Sequence, residues 1–200
     1  ASGEPTNGYN SATTRSNALY NIKTGVAVGS ESVTFGSGNE ISFASQQINT
    51  GYGGYPAAWS DDFSIACWIY YDDSLNWTNS YRGGIVWRGS YAGSHGLWRH
   101  PTAGLVSAWA RGDSGNERTV ALTDDSWNHI VMTWKNDSLI AIYKNGELGA
   151  SMNPGDHSGD STQPDSGNWY IGGQSAASGA QANMYVGQLA KVRIYKTALT

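Results

Sequence analysis

Cysteine occurs once in these 200 residues, at Cys67, so no intrachain disulfide can form and the core alone must hold the fold. Charge is sparse as well. Only 14% of residues are charged, the net charge is −4, and the 12 basic residues are scattered along the chain. Nucleic acid is not expected as a partner, because phosphate backbones demand a concentrated basic face. No apolar run approaches the roughly 18 residues of a membrane span, so no membrane insertion is expected. The first residues carry no basic, apolar, small-residue series of the signal-peptide kind. Glutamate is scarce too: Glu4, Glu31, Glu40, Glu117 and Glu147 stand far apart, with no two in one predicted strand.

What is abundant points to strands and turns. The chain holds 26 glycines, 9 tryptophans and 12 tyrosines, the composition of an all-β fold with many tight connections. Residues 124–149 write two strands in order. His129, Val131 and Thr133 alternate with Ile130, Met132 and Trp134, and Leu139 to Lys144 alternates again after a break of turn residues. Asn145-Gly146 then supplies the dipeptide that best tolerates positive φ in a hairpin. Strands are predicted at 32–36, 40–44, 63–71, 84–88, 96–100, 104–111, 118–122, 128–135, 139–144, 168–172 and 184–195, with no helix beyond a turn or two. Residues 1–30 are polar and read as an N-terminal arm, expected to dock on a neighbour, ahead of a single domain at 31–200. Three long segments read as loops: 45–62, 72–83 and 152–167.

Trp127-Asn128-His129 before one strand, and Tyr143-Lys144-Asn145-Gly146 at the end of the next, resemble the W-x-H … Y-x-N-G signature of laminin-G-like domains. Further pieces follow in that family's order. Ser32 to Gly36 with Asn39 to Phe43 is similar to its opening hairpin, and Phe63 to Ile69 to its F-[ST]-[IV]-x-x-W strand. Gly84-Ile85-Val86, Tyr170-Ile171-Gly172-Gly173 and the closing Tyr185 to Tyr195, with Ala198-Leu199 as tail, complete the series. The resemblance implies a two-sheet antiparallel β-sandwich, a jelly roll of the concanavalin A-like superfamily. The chain departs from the pattern at Ala190, where the last strand usually carries an acid.

That superfamily also contains polysaccharide hydrolases and lyases. Hydrolysis needs two carboxylates across one cleft, roughly 5–5.5 Å apart for retention or 6.5–9.5 Å for inversion. The spread glutamates do not offer such a pair. The four histidines form no metal-hydrolase spacing, and Tyr91 with Trp98-Arg99-His100 gives only fragments of a lyase site. No enzyme is expected. Recognition of glycans or a surface polymer is, because sugar rings stack on Trp or Tyr while their hydroxyls need fixed polar partners.

The candidate ligand-binding residues are Trp77 with Asp72, Asp73, Asn76 and Tyr81 in one loop, Tyr52, Tyr55 and Trp59 in another, and Trp98, Arg99 and His100 at a strand end. Trp68, Trp127 and Trp134 read as core. Alternation sets Leu105, Ser107, Trp109 and Arg111 on one face, with Trp109 and Arg111 either open to a ligand or a partner subunit or, for Trp109, covered by a neighbouring loop, and Val106, Ala108 and Ala110 toward the core. Cys67, inside FSIACWIYY, reads as a small core hydrophobe. Arg111-Gly112-Asp113-Ser114 reads as turn chemistry. Calcium, common in the superfamily, has Asp156, Asp160 and Asp165 as weak candidate ligands. The resulting expectation is an adhesion or lectin-like module on a cell or virion surface. The alternative is a structural decoration protein of a phage capsid or tail, a homo-oligomer or virion component contacted through the arm.

Overall fold

The computed structural model describes residues 26–28, 33–35, 48–71, 83–89, 94–110, 114–135, 138–154, 164, 167–173, 185 and 187–199, with backbone alone at 26–28, 33–35 and 48–52. Two antiparallel sheets face each other. One lays seven strands in the order β1 (Val26–Val28), β2 (Val33–Phe35), β13 (Gly187–Tyr195), β4 (Phe63–Tyr71), β9 (Ser126–Lys135), β10 (Leu139–Lys144) and β11 (Glu147–Met152). The other lays six, in the order β3 (Ile48–Gly53), β12 (Asn168–Ile171), β5 (Gly83–Arg88), β6 (His95–Arg99), β7 (Leu105–Trp109) and β8 (Glu117–Ala121). A single 3-10 turn at Ser114–Asn116 is the helical content among the described residues.

The centre of the seven-stranded sheet shows why these residues make strands. In β4 the odd positions Phe63, Ile65, Cys67, Ile69 and Tyr71 are buried toward the partner sheet, while Ser64, Ala66, Trp68 and Tyr70 turn outward. β9 answers in register from Phe63↔Trp134 to Tyr71↔Ser126, bringing Ile130, Met132 and Trp134 into the same core. Burial pushes the Cys67 thiol up to about 12, so it is an inert core group. Val106, Ala108 and Ala110 from the six-stranded sheet close the core, as the alternation of that stretch implied.

Asn145 and Gly146 adopt φ of 53° and 87°, the left-handed pair that a two-residue hairpin requires. Asn145 also ties the turn to β9, its Oδ1 accepting from the His129 N–H at 2.8 Å and its N–H donating to the His129 carbonyl at 2.8 Å. At the far end of the sheet the C-terminal tail lies across the outward side. Ser64 Oγ donates to the Thr197 carbonyl at 2.9 Å, and Thr133 Oγ1 to the Leu199 carbonyl at 3.0 Å.

The architecture differs from the sequence reading in three strands. β1 draws residues 26–28 of the supposed arm into the sheet, where they pair with β2, so the sandwich begins before residue 31. β3 occupies 48–53, inside the segment read as a loop at 45–62. β11 follows the Asn145-Gly146 turn at 147–152. The predicted strand at 40–44 lies outside the described residues.

Candidate functional site

The outward face of the six-stranded sheet gathers aromatic and polar side chains in rows set by register. One row runs Tyr170, Trp87, Gly96, Trp109 and Glu117 across five strands. The next runs Trp98, Ser107 and Thr119. His100 follows at the end of β6, its N–H bonded to the Leu105 carbonyl. Trp87, Trp98 and Trp109 form a cluster separate from the main core, with ring centroids 6.3 Å apart for Trp87 and Trp98 and 5.3 Å for Trp98 and Trp109. The second pair meets edge to face, the favoured geometry for indoles.

A polar group borders the indoles. His100 Nδ1 accepts the Thr102 N–H at 3.0 Å, which leaves the ring proton of the neutral form on Nε2. Nε2 faces Glu117 Oε1 at 3.9 Å, too far for a hydrogen bond. Ser107 lies between them by register, one strand and one row from each. Its Oγ is buried and finds no hydrogen-bond partner among the described residues, and neither does Glu117 Oε1. A buried polar atom left unpaired costs roughly 1–3 kcal/mol, so two beside one another need a reason. The side chains of His100 and Glu117 are 26% and 14% exposed, which puts them at an accessible edge beside the enclosed indoles.

The sequence candidates fall in several places. Trp98 and His100 share this face, 6.3 Å apart edge to face, but Arg99 between them points into the sandwich beside Tyr185. Burial pulls the Arg99 guanidinium below its ordinary value, opposed by Tyr185. Trp109 lies on the predicted face yet is enclosed rather than open, because Trp98 packs against it. Arg111 lies outside the described residues.

Trp59 sits in the main core against Trp134 and His95, both at 5.5 Å. Its segment is tied from below: Trp134 Nε1 donates to the Trp59 carbonyl at 2.7 Å, Trp169 Nε1 to the Tyr55 carbonyl at 3.1 Å, and Arg88 to the Pro56 carbonyl at 3.1 Å. Tyr55 is half-buried under the Lys196 ammonium, 4.9 Å from the ring centre. Tyr52 lies on β3, described in backbone only. Asp72, Asp73, Asn76, Trp77 and Tyr81, and the calcium candidates Asp156, Asp160 and Asp165, lie outside the described residues. Among the described residues no three carboxylate, histidine or cysteine side chains gather for a metal ion.

Sequence reasoning missed Trp87 and Glu117. Glu117 was detectable as the first of the alternating outward positions Glu117, Thr119 and Ala121. It also took Trp68 and Trp127 for core, and here only Trp134 belongs there. Trp68 is half-buried and Trp127 is 37% exposed, both on the outward side of the seven-stranded sheet. Trp127 and Trp134 are seven residues apart, an odd spacing that must send them to opposite faces.

His129 packs at a tilt against Trp68 there, and burial, then the Arg193 charge, hold its pKa below the ordinary value of about 6.5. The unfolded chain therefore takes up this proton first as pH falls. The contribution is fully present above about pH 6.5 and is lost as pH drops through the folded value. The expected result is a melting temperature that falls between pH 7.5 and pH 5, with a smaller fall in Arg193→Gln.

A sandwich of two antiparallel sheets is the architecture of concanavalin A-like domains. The chain belongs to that family: residues 35–200 match the laminin-G-type family model of the concanavalin A-like lectin/glucanases superfamily. No curated protein matches it by sequence. Among solved structures it is similar to the receptor-binding domain of botulinum neurotoxin D, with a TM-score of 0.61 at 13% identity over 90% of this chain and 44% of that one. The binding domain of Paraclostridial Mosquitocidal Protein 1 gives 0.61 at 16% identity, over 90% of this chain and 44% of that one. The botulinum neurotoxin D ligand-binding domain in complex with N-acetylneuraminic acid gives 0.61 at 15%, over 90% and 42%. The chain thus spans less than half the length of each of these structures, and at such identity the likeness is one of fold. No helix among the described residues is long and apolar enough to cross a membrane.

Proposed function

We propose that this domain binds glycans without chemical conversion, on the outward face of the six-stranded sheet, as a recognition module working outside a cell. The observation that carries the reading is the pair of buried oxygens, Ser107 Oγ and Glu117 Oε1, that find no hydrogen-bond partner among the described residues and are set among indoles. A saccharide offers what they lack. Its hydroxyls donate to a carboxylate and exchange hydrogen bonds with a serine. His100 Nε2–H supplies a donor at the accessible edge.

Binding rather than hydrolysis is favoured because Glu117 is the one carboxylate on the outward strand positions of this face among the described residues, and hydrolysis takes two. The toxin structures are named as receptor-binding or ligand-binding domains, one of them holding a sialic acid, which supports the same reading. The test is a glycan array read with the whole chain, with and without calcium, followed by titration of the best glycan. Glu117→Gln is expected to weaken that binding about ten- to a hundredfold, the worth of a hydrogen bond to a charged group. Ser107→Ala is expected to weaken it while leaving the melting temperature unchanged or higher, because it removes an unpaired buried hydroxyl. An array without signal in either condition, or full affinity in both variants, overturns the proposal.

A further inference from the structure

The outward side of the seven-stranded sheet carries aromatic groups that neither the core nor the site above uses. β9 sets His129 opposite Trp68 and Trp127 opposite Tyr70. Both pairs touch, at 5.0 Å between the Trp68 and His129 rings and 5.6 Å between those of Tyr70 and Trp127. Successive outward rungs lie about 6.8 Å apart, twice the rise per residue, so the four rings make a two-rung ladder. On the other flank of β4, β13 sets Gln188 opposite Tyr70 and Arg193 opposite Ala66. Arg193 is exposed, has no ion pair among the described residues, and stands close enough for its charge to act on His129.

We propose that this ladder is a second carbohydrate site, on the opposite side of the sandwich, for a pyranose chain bearing anionic groups. Trp127 is 37% exposed and its orientation is set by its T-shaped contact with Tyr70, so little freedom is lost when a sugar packs on it. Gln188 provides amide donors and an acceptor beside Tyr70. Arg193 provides a planar fork suited to a carboxylate or sulfate. The charge pattern selects an anion. The chain as a whole is acidic, yet β4, β9, β10 and β13 carry no Asp or Glu among their residues. Asp124 and Asp125 lie in the turn just before Trp127, which places the anionic group of the ligand at the Arg193 end.

A protein partner fits this face less well. Trp127 and Leu148 are the exposed large hydrophobics among the described residues, whereas a stable protein interface buries about 800 Å² per partner around clustered anchors.

The test uses an array of neutral, carboxylated and sulfated oligosaccharides with the whole chain and its Trp127→Ala, Arg193→Gln and Ser107→Ala variants, each first shown folded by its melting curve. The expected result is binding of acidic glycans that falls about tenfold or more in Trp127→Ala. Arg193→Gln should abolish the preference for acidic over neutral sugars, and the carboxylated and sulfated arms show which anion is read. Ser107→Ala should leave this binding intact, which separates the second site from the first. The proposal is overturned if no acidic glycan binds, if Trp127→Ala binds as the parent does, or if the loss follows Ser107→Ala instead. It is equally overturned if the chain sediments as a dimer that Trp127→Ala converts to monomer, since the ladder is then an interface between copies.

Discussion

Trp134→Ala is expected to cost about 3–5 kcal/mol of folding free energy, the usual range for truncating a buried tryptophan. Trp134 has no exposed surface and packs between Trp59 at 5.5 Å and Phe63 at 6.5 Å, where the rings are nearly parallel. These neighbours are large and held by other contacts, so the cavity left behind cannot collapse fully. A second loss adds to the first. Trp134 Nε1 donates to the Trp59 carbonyl, and truncation leaves that buried oxygen short of a donor. At 2–4 °C per kcal/mol for a domain of this size, the melting temperature should fall by roughly 6–20 °C. Trp134→Phe separates the two contributions. It keeps an aromatic ring against Phe63 but removes the donor, and should recover more than half of the loss. Urea titration of both variants reads the difference, and equal destabilisation would show that the hydrogen bond rather than packing holds the 55–62 segment.

That segment also shows what was legible in the chain beforehand. β4, β9 and β10 were readable because their alternation is strong and each strand is long enough to show its period. β3 was not. Ile48-Asn49-Thr50-Gly51-Tyr52-Gly53 holds two glycines and one large aliphatic residue, and becomes a strand because β12 offers it partners. β11 is similar: Glu147-Leu148-Gly149-Ala150-Ser151-Met152 has low strand propensity and takes its register from β10, with an irregularity at Ile142 and Tyr143.

The site was half legible for the same kind of reason. Parity within β6 placed Trp98 and His100 together. In β5 an irregularity between Gly84 and Val86 puts Ile85 and Val86 both in the core, and this breaks the parity that would have marked Trp87 as outward. Alternation within β8 shows that Glu117 faces outward, but its place beside Trp109 comes from pairing between strands, which no single strand records. Trp127 was misplaced by treating tryptophan as a core residue when the spacing to Trp134 already sent it outward.

Gly96→Ala should be more damaging than its one added methyl suggests. Gly96 sits in β6 with φ of 138°, a conformation open to glycine and strained for alanine. A Cβ there would also drive into the Val86 carbonyl oxygen and stand 3.0 Å from Trp87 Cα. Both obstacles are backbone of the adjacent strand, so no rotamer change relieves them and β5 must move away from β6. That movement would separate Trp87 from Trp98 and open the row that runs from Tyr170 to Glu117. The expected loss is about 4 kcal/mol or more, the range reserved for a specific structural fault.

Gly146→Ala supplies the reference. Gly146 also has positive φ, at 87°, but a Cβ there meets nothing within 4 Å. It should therefore cost only the backbone strain, roughly 1–2 kcal/mol. The difference between the two variants in urea measures the clash between β5 and β6. Under conditions where both remain folded, glycan affinity should fall in Gly96→Ala and hold in Gly146→Ala, because only the first disturbs the sheet that carries Trp98, Ser107 and Glu117. Equal stability loss in the two variants would mean that β5 yields easily, and the outward tryptophan cluster would then lack the rigidity that positions Ser107 and Glu117 for a ligand.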